Sequence, residues 1–118
     1  MKVVSLVGAR PQIIKEAVVQ EQLQKHEIEE VLVHCGQHYD YDMSDVLFKV
    51  LKIREPDDNL GVGSGTHGEM TDRTMIAFEQ VAMKEKPDVI LVYGDTDTTV
   101  AGALVGAKLK IPVAHVEA

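Results

Sequence analysis

Short apolar runs alternate along this chain with longer stretches in which apolar positions recur every three or four residues. Residues 2–7 form a near-continuous apolar run closed by Gly8, the pattern of a buried strand. Residues 11–25 predict a helix with Pro11 at its first position, where the missing N–H costs nothing. Residues 31–35 read as a second strand. Met43, Val46, Leu47, Val50 and Leu51 recur at i, i+3, i+4, i+7 and i+8, a helical stripe. Residues 54–65 are rich in Pro, Asp, Asn and Gly and predict a mobile loop. Thr66-x-x-Glu69 makes a capping box, and the helix it opens runs to about Lys86, with Pro87 marking the exit. Residues 89–93 are a third strand. Val100, Ala103, Leu104 and Ala107 form the apolar face of another helix, and residues 112–116 are a final strand. Gly102 and Gly106 each cost that helix roughly 1 kcal/mol against Ala, which close packing against a neighbour explains.

A β-α-β-α-α-β-α-β order predicts a Rossmann-like, three-layer α/β/α domain over residues 1–118, its parallel sheet covered on both faces. In such a sheet ligands bind at the carboxyl ends of the strands, where strand order reverses. The residues just past the four strands are Gly8-Ala9-Arg10, Gly36-Gln37-His38, Gly94-Asp95 and Glu117. All are expected to converge on one crevice.

Several of these residues carry chemistry. Arg10 and Lys15 flank the start of a helix, where the dipole disfavours cations. A bound anion reverses that sign, and phosphate is the usual guest at such a place. The alternative is that both side chains simply extend into solvent. Asp95 directly follows a buried strand, where a charged carboxylate is costly unless paired or used. One of Thr96, Asp97 or Thr98 is expected to cap the next helix, which leaves Asp95 ahead of the cap and available. Asp95-x-Asp97 hints at a divalent metal, but no other oxygen ligand has fitting spacing. His115 and Glu117 share one strand face, and a partly desolvated Glu117 would have a raised pKa suited to acid–base work. A salt bridge from Glu117 to Arg10 or Lys15 is the structural alternative. Gly63-x-Gly65-x-x-Gly68 matches a dinucleotide pattern but follows a loop and lacks the acid after the next strand. His67 is a weaker candidate to face the crevice, and the remaining histidines show no zinc spacing with Cys35.

Composition narrows the partners. With 118 residues, 45% hydrophobic and 26% charged, the chain suits one compact domain. A net charge of −7 with interspersed signs argues against a nucleic-acid surface. The single cysteine, Cys35, forms no internal disulfide, and no signal sequence or membrane-length apolar run is visible, so a cytoplasmic protein is expected.

Four motifs stand in register: Gly8-x-Arg10-Pro11-x-x-x-Lys15, Gly36-Gln37-His38-Tyr39-Asp40, Gly94-Asp95-Thr96-Asp97-Thr98-Thr99 and Pro112-Val113-Ala114-His115-Val116-Glu117-Ala118. Together they resemble the non-hydrolysing UDP-N-acetylglucosamine 2-epimerase family. The resemblance implies the N-terminal half of a GT-B architecture and reversible conversion of UDP-GlcNAc to UDP-ManNAc, with no redox cofactor and no metal. It implies loss of the C-2 proton as UDP leaves, a bound 2-acetamidoglucal, and return of UDP with a proton delivered to the opposite face. Gly8, Arg10, Lys15, Gln37, His38, Asp95 and Glu117 become candidate substrate-binding residues, with Asp95, Glu117 and Lys15 candidates for catalysis. Gln37 and His38 match a segment that binds an activating substrate molecule in some bacterial members. Ala9, Gln12 and Val18 depart from the Thr, Glu and Pro more usual there. The family continues past this chain with a further acid and a second, uridine-binding domain. The chain alone is therefore expected to be inactive, to need that domain in cis or in trans, and to self-associate. A GT-B glycosyltransferase domain and a non-catalytic nucleotide-sugar binding module are the competing readings.

Overall fold

The structure, a computed structural model, describes residues 1–8, 10–36, 56–62 and 65–116, with the Arg10 side chain outside that description. The helix predicted over 43–51 and the glycine pair Gly63 and Gly65 fall wholly or partly outside it. Among the described residues the strands are β1 (Lys2–Val7), β2 (Glu29–His34), β3 (Asp58–Asn59), β4 (Val89–Tyr93) and β5 (Val113–Val116). The helices are α1 (Arg10–Lys25), α2 (His67–Glu85) and α3 (Asp97–Leu109). All pairings are parallel, in the order β3-β2-β1-β4-β5.

Parallel strands covered on both faces read as unbroken apolar runs, which is why β1 and β4 were visible in the sequence. Alternate residues divide between two cores. Val4, Leu6, Val33, Ile90 and Val92 pack with Phe78, Val81 and Ala82 of α2 and Val105 of α3. Val7, Leu32 and Tyr93 pack on the other face with Ile13 of α1.

One expectation fails. Residues 54–65 are not all loop, because Asp58 and Asn59 form an edge strand beside Val33 and His34. Two residues show no periodicity, and the strand is anchored by polar groups instead. The Leu32 amide donates to Asp57 Oδ2 at 2.8 Å, and the Asp57 amide donates to the Leu32 carbonyl at 2.7 Å. Small boundary shifts accompany it: α1 begins at Arg10, with Pro11 still within the first turn, and β2 spans Glu29–His34.

The Thr66–Glu69 capping box is present, and α2 ends on Lys86 in the left-handed region. Thr66 hydrogen bonds hold the Glu69 carboxyl below its usual range. Gly102 presses on the sheet: a Cβ there would stand 2.6 Å from Val92 Cγ1 and 3.1 Å from Leu6 Cδ2. Gly102→Ala gains about 1 kcal/mol of helix propensity but overpacks the core by about 1–3 kcal/mol. A net loss of stability in urea is the expected result; a more stable variant would show that α3 can lift away from the sheet.

Candidate active site

Strand order reverses between β1 and β4, since the chain runs outward through β2 and β3 and returns on the far side of β1. Gly8 ends β1 at that point, and Gly94-Asp95 ends β4. A Cβ on Gly8 would stand 2.6 Å from Thr98 Oγ1 and 2.7 Å from Cys35 Sγ, so only glycine lets β1 end this close to the start of α3. Gly94 turns the chain at φ +68°, in the region that favours glycine.

Thr96 caps α3 with Thr99 in a reciprocal box, so Asp95 does stand ahead of the cap. Asp95 is exposed, however. The desolvation expected of a residue just past a buried strand is absent here, because the Gly94 turn carries the side chain outward from the strand's buried end. Arg10 opens α1, whose first turn holds no acid, and Lys15 lies half-buried one turn further along. The first turn of α1 therefore contributes no carboxylate of its own to meet the helix dipole. Gly8, the start of α1 and Asp95 thus come to one edge. Gln37, His38 and Glu117 lie outside the described residues.

His115 donates from Nε2 to the Gly94 carbonyl, which ties β5 to the Asp95 turn. A hollow of about 360 Å³ opens beside it, with Asp95 and His115 among its polar lining and Val100, Leu104 and Val113 among its apolar lining. Such a volume suits a small ligand. His67, at the start of α2, donates from Nδ1 to Asp97 Oδ2 at 2.8 Å, so Asp97 is engaged in a pair and Asp95 is the acid that faces outward.

Sequence reasoning missed the residue that joins the two loops. Gln12 is buried; its Oε1 accepts from the Gly8 amide at 2.8 Å, and its Nε2 donates to the Tyr93 carbonyl and Thr96 Oγ1, each at 2.8 Å. The Tyr93 hydroxyl donates to Glu16 Oε1 at 2.5 Å. The one available signal was Gln12 and Glu16 at i and i+4 beside apolar Ile13 and Ala17.

Burial, then the charges of Glu16 and Glu30, push the Tyr93 phenol far above its ordinary 10.0. Above that value the unfolded chain releases this proton and the folded chain keeps it. Stability should therefore fall as pH rises past about 10, by up to about 1.4 kcal/mol per pH unit from this group. Tyr93→Phe should remove that part of the alkaline slope in urea melts; an unchanged slope would mean that the phenol ionises alike in both states.

The sequence profile of a family described as UDP-N-acetylglucosamine 2-epimerase matches residues 21–118. A UDP-N-acetylglucosamine 2-epimerase homolog of Methanococcus maripaludis is 52% identical over all of this chain and 33% of its own length. A UDP-2,3-diacetamido-2,3-dideoxy-D-glucuronate 2-epimerase of Pseudomonas aeruginosa is 48% identical over all of this chain and 34% of its own. The crystal structure of Methanocaldococcus jannaschii UDP-GlcNAc 2-epimerase in complex with UDP-GlcNAc and UDP superposes with a TM-score of 0.95 at 49% identity, covering 100% of this chain and 33% of that one. Structural relatives of this kind have the GT-B fold. The chain spans about a third of the length of the curated relatives it matches. No helix among the described residues is long and apolar enough to cross a membrane.

Proposed function

Because the chain belongs to the UDP-N-acetylglucosamine 2-epimerase family, we propose that residues 1–118 act as the N-terminal domain, about a third in length, of an enzyme that inverts C-2 of a UDP-linked 2-acetamido sugar. The observation that carries this reading is the meeting of Gly8, the cationic start of α1 and Asp95 where strand order reverses. UDP-GlcNAc and UDP-ManNAc are the expected pair.

The C-2 proton of such a sugar is only weakly acidic, so its removal has to be coupled to departure of the pyrophosphate. Arg10, Lys15 and the α1 N-terminus would stabilise the charge on the leaving UDP. Inversion requires a proton to leave one face and arrive on the other, hence two acid–base groups, for which Asp95 and Glu117 are assigned. UDP then returns to the 2-acetamidoglucal. The rest of the enzyme, in cis or in trans, supplies the second domain, and the assembly is a homo-oligomer.

A second reading concerns the sugar. The Pseudomonas aeruginosa relative, at 48% identity, stands beside the Methanocaldococcus jannaschii enzyme at 49%, and its name specifies a UDP sugar with a second acetamido group and a carboxylate. UDP, the 2-acetamido group and inversion at C-2 are shared; C-3 and C-6 differ.

The test is proton NMR in heavy water, with the chain alone and joined to the remaining two-thirds or so of the Methanocaldococcus jannaschii relative. Deuterium at C-2 of a UDP-ManNAc product is expected from the joined protein and none from the chain alone. Conversion of the diacetamido glucuronate with UDP-GlcNAc untouched would select the second sugar. If a folded, joined protein left both substrates unlabelled, the epimerase reading would fall.

A further inference from the structure

Polar side chains fasten α1 to the sheet. Gln12, Glu16 and Gln20, at i, i+4 and i+8, are 3%, 0% and 6% exposed, whereas Ile14 and Val18 are 47% and 64% exposed. An amphipathic helix ordinarily does the reverse. Buried amides and carboxylates stabilise a fold only with well-placed partners, and apolar side chains of similar size often serve stability as well or better. What the polar groups add is a defined position.

Two of the three end on one residue. Gln12 Nε2 donates to the Tyr93 carbonyl at 2.8 Å, and the Tyr93 hydroxyl donates to Glu16 Oε1 at 2.5 Å. The same Gln12 takes the Gly8 amide and reaches the cap of α3 through Thr96. Tyr93 is thus gripped at its main chain and at its phenol, two residues before Asp95. Arg10 and Lys15 ride on the helix that does the gripping.

We infer that Gln12 and Glu16 are positioning residues, which clasp Tyr93 from one face of α1 and so hold Asp95 at a set distance from the cationic start of that helix. The inference rests on the proposed reaction, in which a proton at C-2 and a departing pyrophosphate must be served at once from those two places. Misplacing a reacting group by an ångström costs about a hundredfold in rate. Thr99 also donates to the Tyr93 carbonyl, so the half of Gln12 with no substitute among the described residues is the acceptor for Gly8.

Two readouts separate this inference from the reaction it rests on. The first needs no substrate: amide exchange and chemical shifts of the chain by NMR. Gln12→Leu should speed exchange of the Gly8 amide about tenfold and move the Asp95 amide resonance, while Val4 and Leu6 stay protected. Gln12→Glu, which keeps an acceptor for Gly8, should retain that protection and serves if the leucine variant does not fold. Equal exchange in all three proteins overturns the clasp. The second readout is turnover by the joined protein. Gln12→Leu and Glu16→Leu should each lower kcat about a hundredfold with KM within about threefold. Glu16→Gln, whose amide oxygen still accepts from the phenol, should recover to within about tenfold of the wild type, whereas Gln12→Glu, which keeps the acceptor for Gly8 but loses the donor to Tyr93, should recover less. Falls in melting temperature with unchanged turnover per folded molecule would reduce both residues to structural ones and overturn the inference. If wild-type protein turns over no UDP sugar, the functional reading fails, and the exchange measurement still decides whether the clasp exists.

Discussion

Asp95→Asn is expected to lower turnover of the UDP sugar by about a hundredfold or more, the usual range for loss of a general acid or base. The substitution keeps size and shape and removes only the ability to take up or give a proton. Asp95 is exposed and stands ahead of the α3 cap, which Thr96 and Thr99 form without it. Stability should therefore stay within about 0.5 kcal/mol of the wild type, as for surface positions with no structural task. The separation of the two effects is what identifies the role. Single-turnover assays in heavy water should show loss of C-2 labelling together with loss of product, because both depend on the same proton transfer. An active Asp95→Asn enzyme would remove Asp95 from the chemistry and leave Glu117 with the unassigned remainder of the protein. Asp97→Asn is the comparison: Asp97 is occupied with His67 and lies within the first turn of α3, so a smaller effect is expected there.

Phe78→Ala is expected to cost about 3–5 kcal/mol, out of a total of about 5–15 kcal/mol for a domain. Phe78 is fully buried on α2 and packs against Val4, Leu6, Val33, Ile90 and Val92 of the sheet and Val105 of α3. Truncation leaves a void bounded by three strands and two helices, into which the surroundings relax only in part. Urea denaturation should show a lower midpoint with little change in slope, and Phe78→Leu should recover most of the loss. A cost below about 1 kcal/mol would mean that α2 is poorly docked on this face.

The division between what was legible and what was not follows from how far the responsible contacts reach. β1 and β4 were readable because a strand buried on both faces is apolar along nearly its whole length. The α2 start was readable because Thr66 and Glu69 satisfy each other's neighbouring amides within four residues. Gly8 and Gly94-Asp95 were found by a rule about strand ends, and the close packing of Gly102 by the helix propensity it sacrifices. β3 was missed because two residues carry no period, and its existence depends on Asp57 meeting Leu32 from 25 positions away.

The rotation of α1 about its own axis lay beyond any local pattern. Its sequence offers apolar Ile14 and Val18 as readily as Ile13 and Ala17 for burial, and three polar residues occupy the inward stripe. Their partners are Tyr93 and Thr96, 81 and 84 residues from Gln12, and Glu30 from β2. Element type, order and the chemistry available at strand ends are properties of short windows, set by periodicity, capping and strand burial. The facing of α1 and the clasp on Tyr93 come from polar groups that find partners only once the sheet has brought β1 and β4 side by side.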